Sequence, residues 1–499
     1  MAPGSRRIVK PLFMKQEPIG WDLFGATPRL IASGLGVRPE LVLTYLTSVL
    51  GGMAGSFARI RGSMGGSQSP GLPLILEECH PGRARSLADV ALGPVQHFND
   101  WERRQLQAII PEWHGEHHAF EVSNVKNTHK GLMTNLDSDM FVDHEIAGEQ
   151  SVLWRYRQNW QPSVLLNSPE PGSFEKVLGS VFDACPLIVD LGGSVVRRVL
   201  EGQSQAGAWP GLLRRIVEGA RGGFDAPLQA NGPPVMNSTL RVRTPFLMHL
   251  PTYEVASALL DPVTAALFEV AILLPTERVP GGRVTGVELH AEASRVVGGY
   301  RDAVNRVLWS RQDGGGVDFS LIRPCLLLLE GIDDIERTIE RLPDSVRRLC
   351  GGLYGLPLRL LWTALVLDSP KGDATFADLV PGVMQTARWC VERQSERILE
   401  VLEEEQLRSL REAAATMWRK LQSLSLPCRF SDLLRKYHRQ RKEYLLPVLE
   451  FLREERIVRC DSRHGGIELM PDHPMPPWLG PRAPSFTAVE AGDSPHGPA

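Results

Sequence analysis

The chain has 499 residues, a length typical of two or three domains of ordinary size. Hydrophobic residues make up 43% and charged residues 23%, as in a folded soluble protein, and a net charge of −3 excludes a global attraction to nucleic acid or membrane. The content of 47 Gly and 38 Pro is above the usual share, which predicts many turns rather than one long helical bundle.

Cysteine usage and hydropathy predict the cellular compartment of the protein. The 7 cysteines are scattered and form no C-x-x-C pair, which is typical of reduced buried thiols and disfavours a zinc site built from thiolates. The first residues include basic clusters but no apolar stretch of signal-peptide length. No window approaches the ~18 unbroken apolar residues of a membrane span. We therefore expect a cytoplasmic, soluble protein with no membrane partner.

Strand and helix patterns alternate over roughly residues 60–290. A helix is predicted at PELVLTYLTSVLGGMAG (39–55), and an edge strand follows at SFARIRG (56–62). Continuous apolar runs, typical of buried parallel strands, occur at 72–78, 185–193, 241–250 and 267–275. This alternation predicts an α/β fold whose parallel sheet is covered by helices on both faces.

The remainder of the chain has a different hydrophobic pattern. Helical periodicity dominates after residue 290, and the longest predicted helix runs through 384–425. Residues 426–471 have the pattern of a winged helix-turn-helix, and the Pro-rich tail is predicted to be disordered. The predicted organisation is an N-terminal helical segment (1–60), a sheet core (61–290), a helical region (291–425), a winged helix (426–471) and a tail (472–499).

The turn after the 72–78 strand has the local topology of a phosphate-binding loop. A working loop, G-x-x-x-x-G-K-[ST], needs glycines so that backbone N–H groups can approach phosphate, a lysine, and a hydroxyl for Mg²⁺. Here the segment reads CHPGRARS (79–86), with Cys79 and Ala84 at the glycine positions and Arg85 at the lysine position. Gly82, Arg85 and Ser86 are the candidate nucleotide-binding residues, and an ordinary strand–helix turn is the alternative.

A second acidic position is predicted at the end of another strand. In phosphoryl-transfer sites an Asp there orients the metal-bound water and a following Glu polarises the attacking water. LIVDLGG supplies Asp190, but Leu191 stands where the carboxylate would follow. An Asp that caps a turn is the alternative interpretation.

The order of these patterns resembles the prophage- and plasmid-borne P-loop ATPases of an uncharacterised helicase- or primase-associated replication family. The resemblance covers most of 25–470 and lies in the segments LIVDLGG, EGARGG, RTPFLMHLPTYEVASALL and LFEVAILLP. It implies a P-loop NTPase-like core, ATP and Mg²⁺ as candidate cofactors, and a ring-forming homo-oligomer.

The chain departs from that family at the positions that carry the chemistry. The family loop reads like GPSGSGKS and its acidic strand like LLVSDEGG, and an Arg precedes the strand that ends in Pro. The corresponding residues here are Arg85 for the lysine, Leu191 for the glutamate and Glu269 for the arginine. Such groups contribute orders of magnitude in rate. Efficient ATP hydrolysis is therefore not expected, and the loss of the arginine weakens the expectation of a ring.

The predicted winged helix is basic although the whole chain is not. Residues 429–464 contain ten basic and six acidic side chains, a local net charge of +4. The densest run, RKYHRQRK (435–442), lies at the turn and at the start of the second helix, where phosphate contacts are usual. The candidate DNA-binding residues are Arg435, Lys436, Arg439, Arg441, Lys442 and Arg463. A protein contact or a merely solvated basic surface is the alternative.

A histidine-rich segment over 114–145 includes WHGEHH (113–118) but lacks the H-E-x-x-H spacing of a zinc helix. We predict no metal site there.

Three functional hypotheses follow. The first is a degenerate, weakly active or inactive ATPase-like protein of a mobile element, acting in DNA replication or maintenance through contacts of its winged helix with DNA or a replication partner. The second is an active ATP-dependent DNA helicase-type motor that recruits another carboxylate, such as Asp183 or Glu218. The third is a protein-binding adaptor in a mobile-element or defence system.

Overall fold

The computed structural model describes twelve stretches of the chain and a few single positions. The stretches are 26–54, 60–61, 67–98, 165–167, 187–203, 245–277, 298–308, 326–368, 376–422, 428–429, 442–460 and 466–469, and the single positions are 100, 210, 211, 213, 214, 431, 433, 435 and 478. The chain divides into two compact units, a larger one of residues 11–399 and a smaller one composed mainly of residues 400–499. The predicted domain boundaries at 290 and 425 stay predictions.

Parallel strands form the centre of the larger unit. The described strands are β1 (Ile60–Arg61), β2 (Ser67–Gln68), β3 (Leu74–Glu78), β4 (Leu165–Asn167), β5 (Leu187–Asp190), β6 (Phe246–Pro251), β7 (Ile272–Pro275), β8 (Cys428–Arg429), β9 (Val458–Cys460) and β10 (Gly466–Leu469). Five of these described strands form one sheet in the order β4-β5-β6-β3-β7. All of its neighbouring pairs are parallel, which confirms the predicted α/β class.

Helices connect and cover these strands. The described helices are α1 (Ala26–Leu35), α2 (Pro39–Ala54), α3 (81–98), α4 (Ser194–Leu200), α5 (Thr252–Leu260), α6 (Ala265–Phe268), α7 (298–308), α8 (Leu326–Glu340), α9 (Asp344–Arg348), α10 (Leu356–Asp368), α11 (Phe376–Gln422) and α12 (Lys442–Glu454).

Two consecutive residues of β6 show that helices cover both faces of the sheet. The His249 ring contacts Tyr45 of α2, whereas the Leu250 side chain lies against Gly193, at the start of α4. Successive side chains of a strand point to opposite faces. Helices α2 and α4 therefore lie on opposite sides of the sheet, as the sequence predicted.

The apolar runs correctly locate the strands that are fully buried. The residues of β5 and β7 are buried throughout, as are the first four residues of β3. The predicted strand 267–275 is wrong over its first residues, because Ala265–Phe268 is helical. The apolar residues Leu267 and Phe268 are buried by this helix and not by a strand. The predicted edge strand at 56–62 is represented by β1, which pairs antiparallel with β2 outside the main sheet.

Gln394 of α11 ties the terminal strand of the described sheet to the helices. Its side-chain oxygen accepts the backbone N–H of Leu273 at 3.2 Å, and its amide nitrogen donates to the Leu349 carbonyl at 2.6 Å. The side chain is fully buried. Strand β7 thus has a backbone donor paired on the side away from β3, where an open edge would otherwise expose it.

The smaller unit has its own apolar core. Strands β8, β10 and β9 form an antiparallel sheet in that order. Helix α12 and the end of α11 contribute buried residues to the core, among them Leu421, Leu445 and Leu452. The indole of Trp478 packs against Phe451 with ring centroids 5.6 Å apart. The part of the chain predicted as a disordered tail therefore contains at least one residue that packs on this core.

Within the described ranges, no helix combines the length and apolar character that a membrane crossing requires.

Replacing Gln394 with Leu should lower the free energy of unfolding by about 2–4 kcal/mol, because the Leu273 N–H and the Leu349 carbonyl would lose a buried partner. Urea denaturation followed by circular dichroism measures this change. The matched control is Gln406→Leu, an exposed position on the same helix, for which we expect a change within about 0.5 kcal/mol. Equal losses in the two variants would contradict the edge-capping role of Gln394.

Candidate functional site

Three helices begin at one edge of the sheet. Helix α3 starts two residues after β3, α4 starts three residues after β5, and α5 follows β6 directly. Because these strands are parallel, their carboxyl ends meet at a single edge, which we call the carboxyl edge. Helix N-termini carry unpaired N–H groups and a partial positive charge, so this edge is electrostatically suited to anions.

The predicted phosphate loop is largely helical in the structure. Only Cys79 and His80 separate β3 from α3, and the helix begins at Pro81, a residue favoured at the first helical position. Gly82, Arg85 and Ser86 therefore lie in the first two turns, and the Ser86 hydroxyl donates to the Gly82 carbonyl at 2.8 Å. Arg85 is exposed to solvent. The structure thus brings the three candidates together at one helix end, without an extended glycine loop.

Asp190 caps helix α4. Its two carboxylate oxygens accept the backbone N–H groups of Ser194 and Val195, each at 2.9 Å, and the side chain is only 2% exposed. The turn that permits this passes through Gly193 at φ 61°, where an added Cβ would lie 2.5 Å from the Leu250 side chain. The capping interpretation therefore describes what Asp190 does in this structure.

These contacts test whether the residues present fit Mg²⁺ and ATP. The Ser86 hydroxyl donates to a helix carbonyl, and the Asp190 carboxylate is bound by backbone amides. In addition, no group of three or more His, Cys, Asp or Glu residues in the described part of the chain could hold a metal ion. The arrangement does not fit a magnesium site, and we derive no metal-assisted step.

Two glutamates end β3 immediately before α3. Glu77 is 1% exposed and receives a bidentate pair of hydrogen bonds from Arg397 of α11, Nε to Oε2 and Nη2 to Oε1, each at 2.8 Å. The Glu77 carbonyl also accepts both the hydroxyl and the backbone N–H of Thr276 at 2.9 Å. The end of β3 is therefore fixed to α11 and to the end of β7.

Glu78 belongs to a separate polar chain on the side of the sheet covered by α2. Its Oε1 lies 3.3 Å from Nδ1 of His249, and Nε2 of the same ring lies 3.0 Å from the Tyr45 hydroxyl. His249 and Tyr45 are buried, whereas the Glu78 side chain is 16% exposed. Burial raises the pKa of Tyr45 well above its ordinary value, so its hydroxyl remains protonated.

An ion pair joins α4 and α5 beside Asp190. Arg197 donates from Nε to Oε1 of Glu254 at 2.9 Å, and the hydrogen bond raises the pKa of the guanidinium. Glu254 is 6% exposed, and its Oε2 is buried without a hydrogen-bond partner. Glu254 Oε2 lies beside Gly193, where an added Cβ would be 3.4 Å from it.

Sequence patterns did not identify Glu77, Glu78, His249 and Arg397 as site residues. Two signals were present: a pair of acidic residues directly after a buried strand, and a lone histidine inside the apolar run FLMHL. The partner Arg397 lies 320 positions from Glu77, and no local pattern connects them.

Glu269, which the predicted resemblance aligns with an arginine, pairs with two arginines. Its Oε2 lies 2.5 Å from Nη1 of Arg214, and its Oε1 contacts Nε of Arg348 in α9. The Glu269 side chain is 8% exposed. It binds two cations here, so its charge is compensated locally.

The predicted DNA-binding residues are only partly within the described residues. Arg435 is exposed in a helical position, and Lys442 is the first residue of α12. The positions Lys436, Arg439, Arg441 and Arg463 lie outside the described residues. The same holds for Asp183, Glu218 and the histidine-rich segment 114–145.

Comparison with protein-family models, with curated proteins and with solved structures finds no match for this chain. The resemblance to mobile-element ATPases therefore stays a prediction.

Replacing Arg397 with Ala should lower the free energy of unfolding by about 3–5 kcal/mol, because the buried Glu77 carboxylate would lose its bidentate cation. Adding Glu77→Gln should recover much of this loss, because the double variant no longer buries the carboxylate charge. Urea denaturation of both variants measures the effect.

The control for that experiment is Arg393→Ala on the same helix. Arg393 contacts Glu396 at 2.9 Å with both side chains about one-third exposed, so we expect a loss of about 1 kcal/mol or less. A double variant as unstable as Arg397→Ala would contradict the buried-charge explanation.

Proposed function

We propose that the protein is a P-loop NTPase-like scaffold of a mobile element. It holds nucleotide phosphates weakly at the N-terminus of α3, hydrolyses ATP inefficiently, and contacts DNA or a replication partner through a C-terminal winged helix. The observation that carries the proposal is the strand order of the sheet, with the candidate phosphate strand β3 between β6 and β7.

The strand order supports a ligand site at the end of β3. After β3, the next strand of this sheet along the described chain is β4, at the far end beyond β6 and β5. The strands that follow, β5, β6 and β7, then lie successively further in the opposite direction, with β7 on the other side of β3. The direction of travel reverses after β3, and right-handed crossovers then place α3 on the opposite face from the later helices. In open α/β sheets, ligands bind at such a reversal, outside the carboxyl ends of the strands.

The local contacts support weak rather than efficient chemistry. A cradle of free backbone N–H groups needs an extended loop, whereas residues 81–86 are helical. Asp190 is occupied by the cap of α4. What remains for a phosphate is the N-terminus of α3 with the exposed Arg85, an arrangement that can attract an anion but has no group positioned to activate water.

The smaller unit supports the winged-helix part of the proposal. A short strand, the helical positions 431, 433 and 435, helix α12 and the β9–β10 hairpin follow one another in the expected order. The unit's local net charge of +4 over 429–464 favours phosphate contacts.

ATP binding and hydrolysis test the first part. A fluorescent ATP analogue should bind weakly to the wild-type protein, and Arg85→Ala should weaken binding by about tenfold, since a charge-assisted contact is lost. The control is Arg301→Ala, an exposed position on α7, which should change nothing. Arg85 is a cleaner probe than Asp190, because Asp190→Ala would also remove a helix cap that contributes about 1 kcal/mol.

Phosphate release by the wild-type protein should stay near background and should not rise when DNA is added. Robust DNA-stimulated release would overturn the scaffold proposal and favour the active motor.

DNA binding tests the second part. The double variant Arg439→Glu with Arg441→Glu should weaken binding and reduce the slope of log K against log salt by about two. Fluorescence anisotropy over a salt series measures both. The control is Arg408→Glu with Arg411→Glu, two exposed positions on α11. Equal effects of the two pairs, or no binding by the wild type, would favour the protein-binding adaptor.

A further inference from the structure

Arg456 connects α12 to β9 with a backbone conformation that favours glycine. Its φ angle is 56°, and no other non-glycine residue in the described part of the chain has a positive φ. We propose that Arg456, together with Arg429 and Arg459 on the outer face of the β8-β10-β9 sheet, contacts the phosphate backbone of DNA. This inference adds a second surface to the DNA contact of the proposed function, and it rests on that function.

The end of α12 explains the conformation of Arg456 but not the residue type. The Arg456 N–H donates to the Arg453 carbonyl at 3.0 Å, and the Ile457 N–H donates to the Leu452 carbonyl at 2.9 Å. This pair of bonds is a Schellman motif, in which glycine is the usual left-handed residue because it has no Cβ. The turn therefore requires the left-handed conformation, but nothing in it requires an arginine.

The Arg456 side chain does not offset this strain within the fold. It is exposed, and within the described residues it takes part in no ion pair or hydrogen bond. Strained residues persist where another requirement outweighs their cost, and they cluster at ligand contacts. A guanidinium that serves no contact inside the chain is suited to a partner outside it, and phosphate is a group that it binds with matched geometry.

The strand register places two further arginines on one face of the neighbouring sheet. Val458 of β9 and Ile467 of β10 are buried in the apolar core of the smaller unit. Arg459 follows Val458, and Arg429 lies opposite Gly466, the residue before Ile467. Successive residues of a strand point to opposite faces, and directly opposite residues share a face. Both arginines are exposed and therefore lie on the outer face, away from the core.

This outer face suits a phosphate backbone. Arg429 and Arg459 belong to the two strands that flank β10, and strand spacing sets their Cα atoms roughly 12 Å apart. Gly466, opposite Arg429, has no side chain to cover the strand between them. The charged positions of the three strands are these two arginines and Glu468, so the positive charge is in excess. Such a face attracts phosphates without reading bases.

The outward side of α12 has no comparable charge. Within 445–454 its exposed residues are Leu446, Pro447, Glu450 and Arg453, and the last two lie 3.8 Å apart as an ion pair. This composition has no net charge and does not match a phosphate backbone. Phosphate contacts beyond the predicted run 435–442 are therefore expected from the outer face of the sheet and from the turn at Arg456.

Replacing Arg456 with Gly tests the proposal, because strain and phosphate contact predict effects of opposite sign. The thermal midpoint should rise by about 2 °C, since glycine relieves the strain. The affinity for a labelled DNA duplex of mixed sequence should fall by about three- to tenfold, and the slope of log K against log salt should decrease by about one. Arg456→Lys keeps the charge and should retain the affinity within about threefold.

The double variant Arg429→Ala with Arg459→Ala tests the sheet face in the same anisotropy assay. The salt slope should decrease by about two, because two phosphate contacts are lost. The matched control is Arg408→Ala with Arg411→Ala, two exposed positions on α11, which should leave the slope unchanged. Thermal denaturation verifies that each variant is folded.

The outcomes separate this inference from the proposed function. If Arg439→Glu with Arg441→Glu weakens DNA binding while the variants of the second surface bind like the wild type, the second surface is overturned and the proposed function stands. A lower thermal midpoint of Arg456→Gly would overturn the strain argument and with it the role of Arg456. If the folded wild type binds no DNA, the proposed DNA contact and this inference fail together, and the basic surface is left to a protein partner.

Discussion

The bidentate pair between Arg397 and Glu77 is the interaction on which the carboxyl edge depends. It joins the last residues of a central strand to α11, and Gln394 joins the same helix to β7. A pair this deeply buried adds little net stability relative to apolar residues of similar volume, but breaking it leaves an uncompensated charge. Its consequence is therefore geometric: it fixes the position of α11 relative to the end of β3 and removes one negative charge from the edge.

The early start of α3 and the capping role of Asp190 have a common physical basis. Without glycines at the first and sixth loop positions, the chain has no reason to remain extended, and Pro81 starts the helix early. The backbone N–H groups at the start of α3 are then directed into helical hydrogen bonds, as those of Arg83 and Ala84 are to the His80 carbonyl. Asp190 in turn accepts hydrogen bonds from the first two backbone N–H groups of α4. The N–H groups of Arg83 and Ala84 and the Asp190 carboxylate are therefore all hydrogen-bonded within the chain.

The sequence predicted those parts of the fold that follow from local pattern. The continuous apolar runs of β3, β5 and β6 gave the class of fold, and the position of Asp190 at a strand end followed from LIVDLGG. Strand β4 was not predicted, because its three residues have no distinctive pattern. The run at 267–275 showed that buried helices and buried strands can share one apolar signature.

The site was less predictable because its main contacts join distant parts of the chain. Tyr45 and His249 are 204 positions apart, and Glu77 and Arg397 are 320 apart. A histidine within an apolar strand indicates a buried polar partner, but it does not indicate which one. Only the register of β6 beside β3, which sets Pro251 opposite Glu78, brings His249 within reach of that carboxylate.

The net charge of the whole chain is close to zero, but charged residues are distributed differently in its two units. In the larger unit, arginines near the sheet are held by carboxylates: Arg397 by Glu77, and Arg197 by Glu254. Such pairs stabilise positions but leave little field to attract an anion over a distance. The segment 429–464 has an excess of four positive charges. The excess of positive charge therefore lies in the segment 429–464, whereas the arginines near the sheet are balanced by adjacent carboxylates.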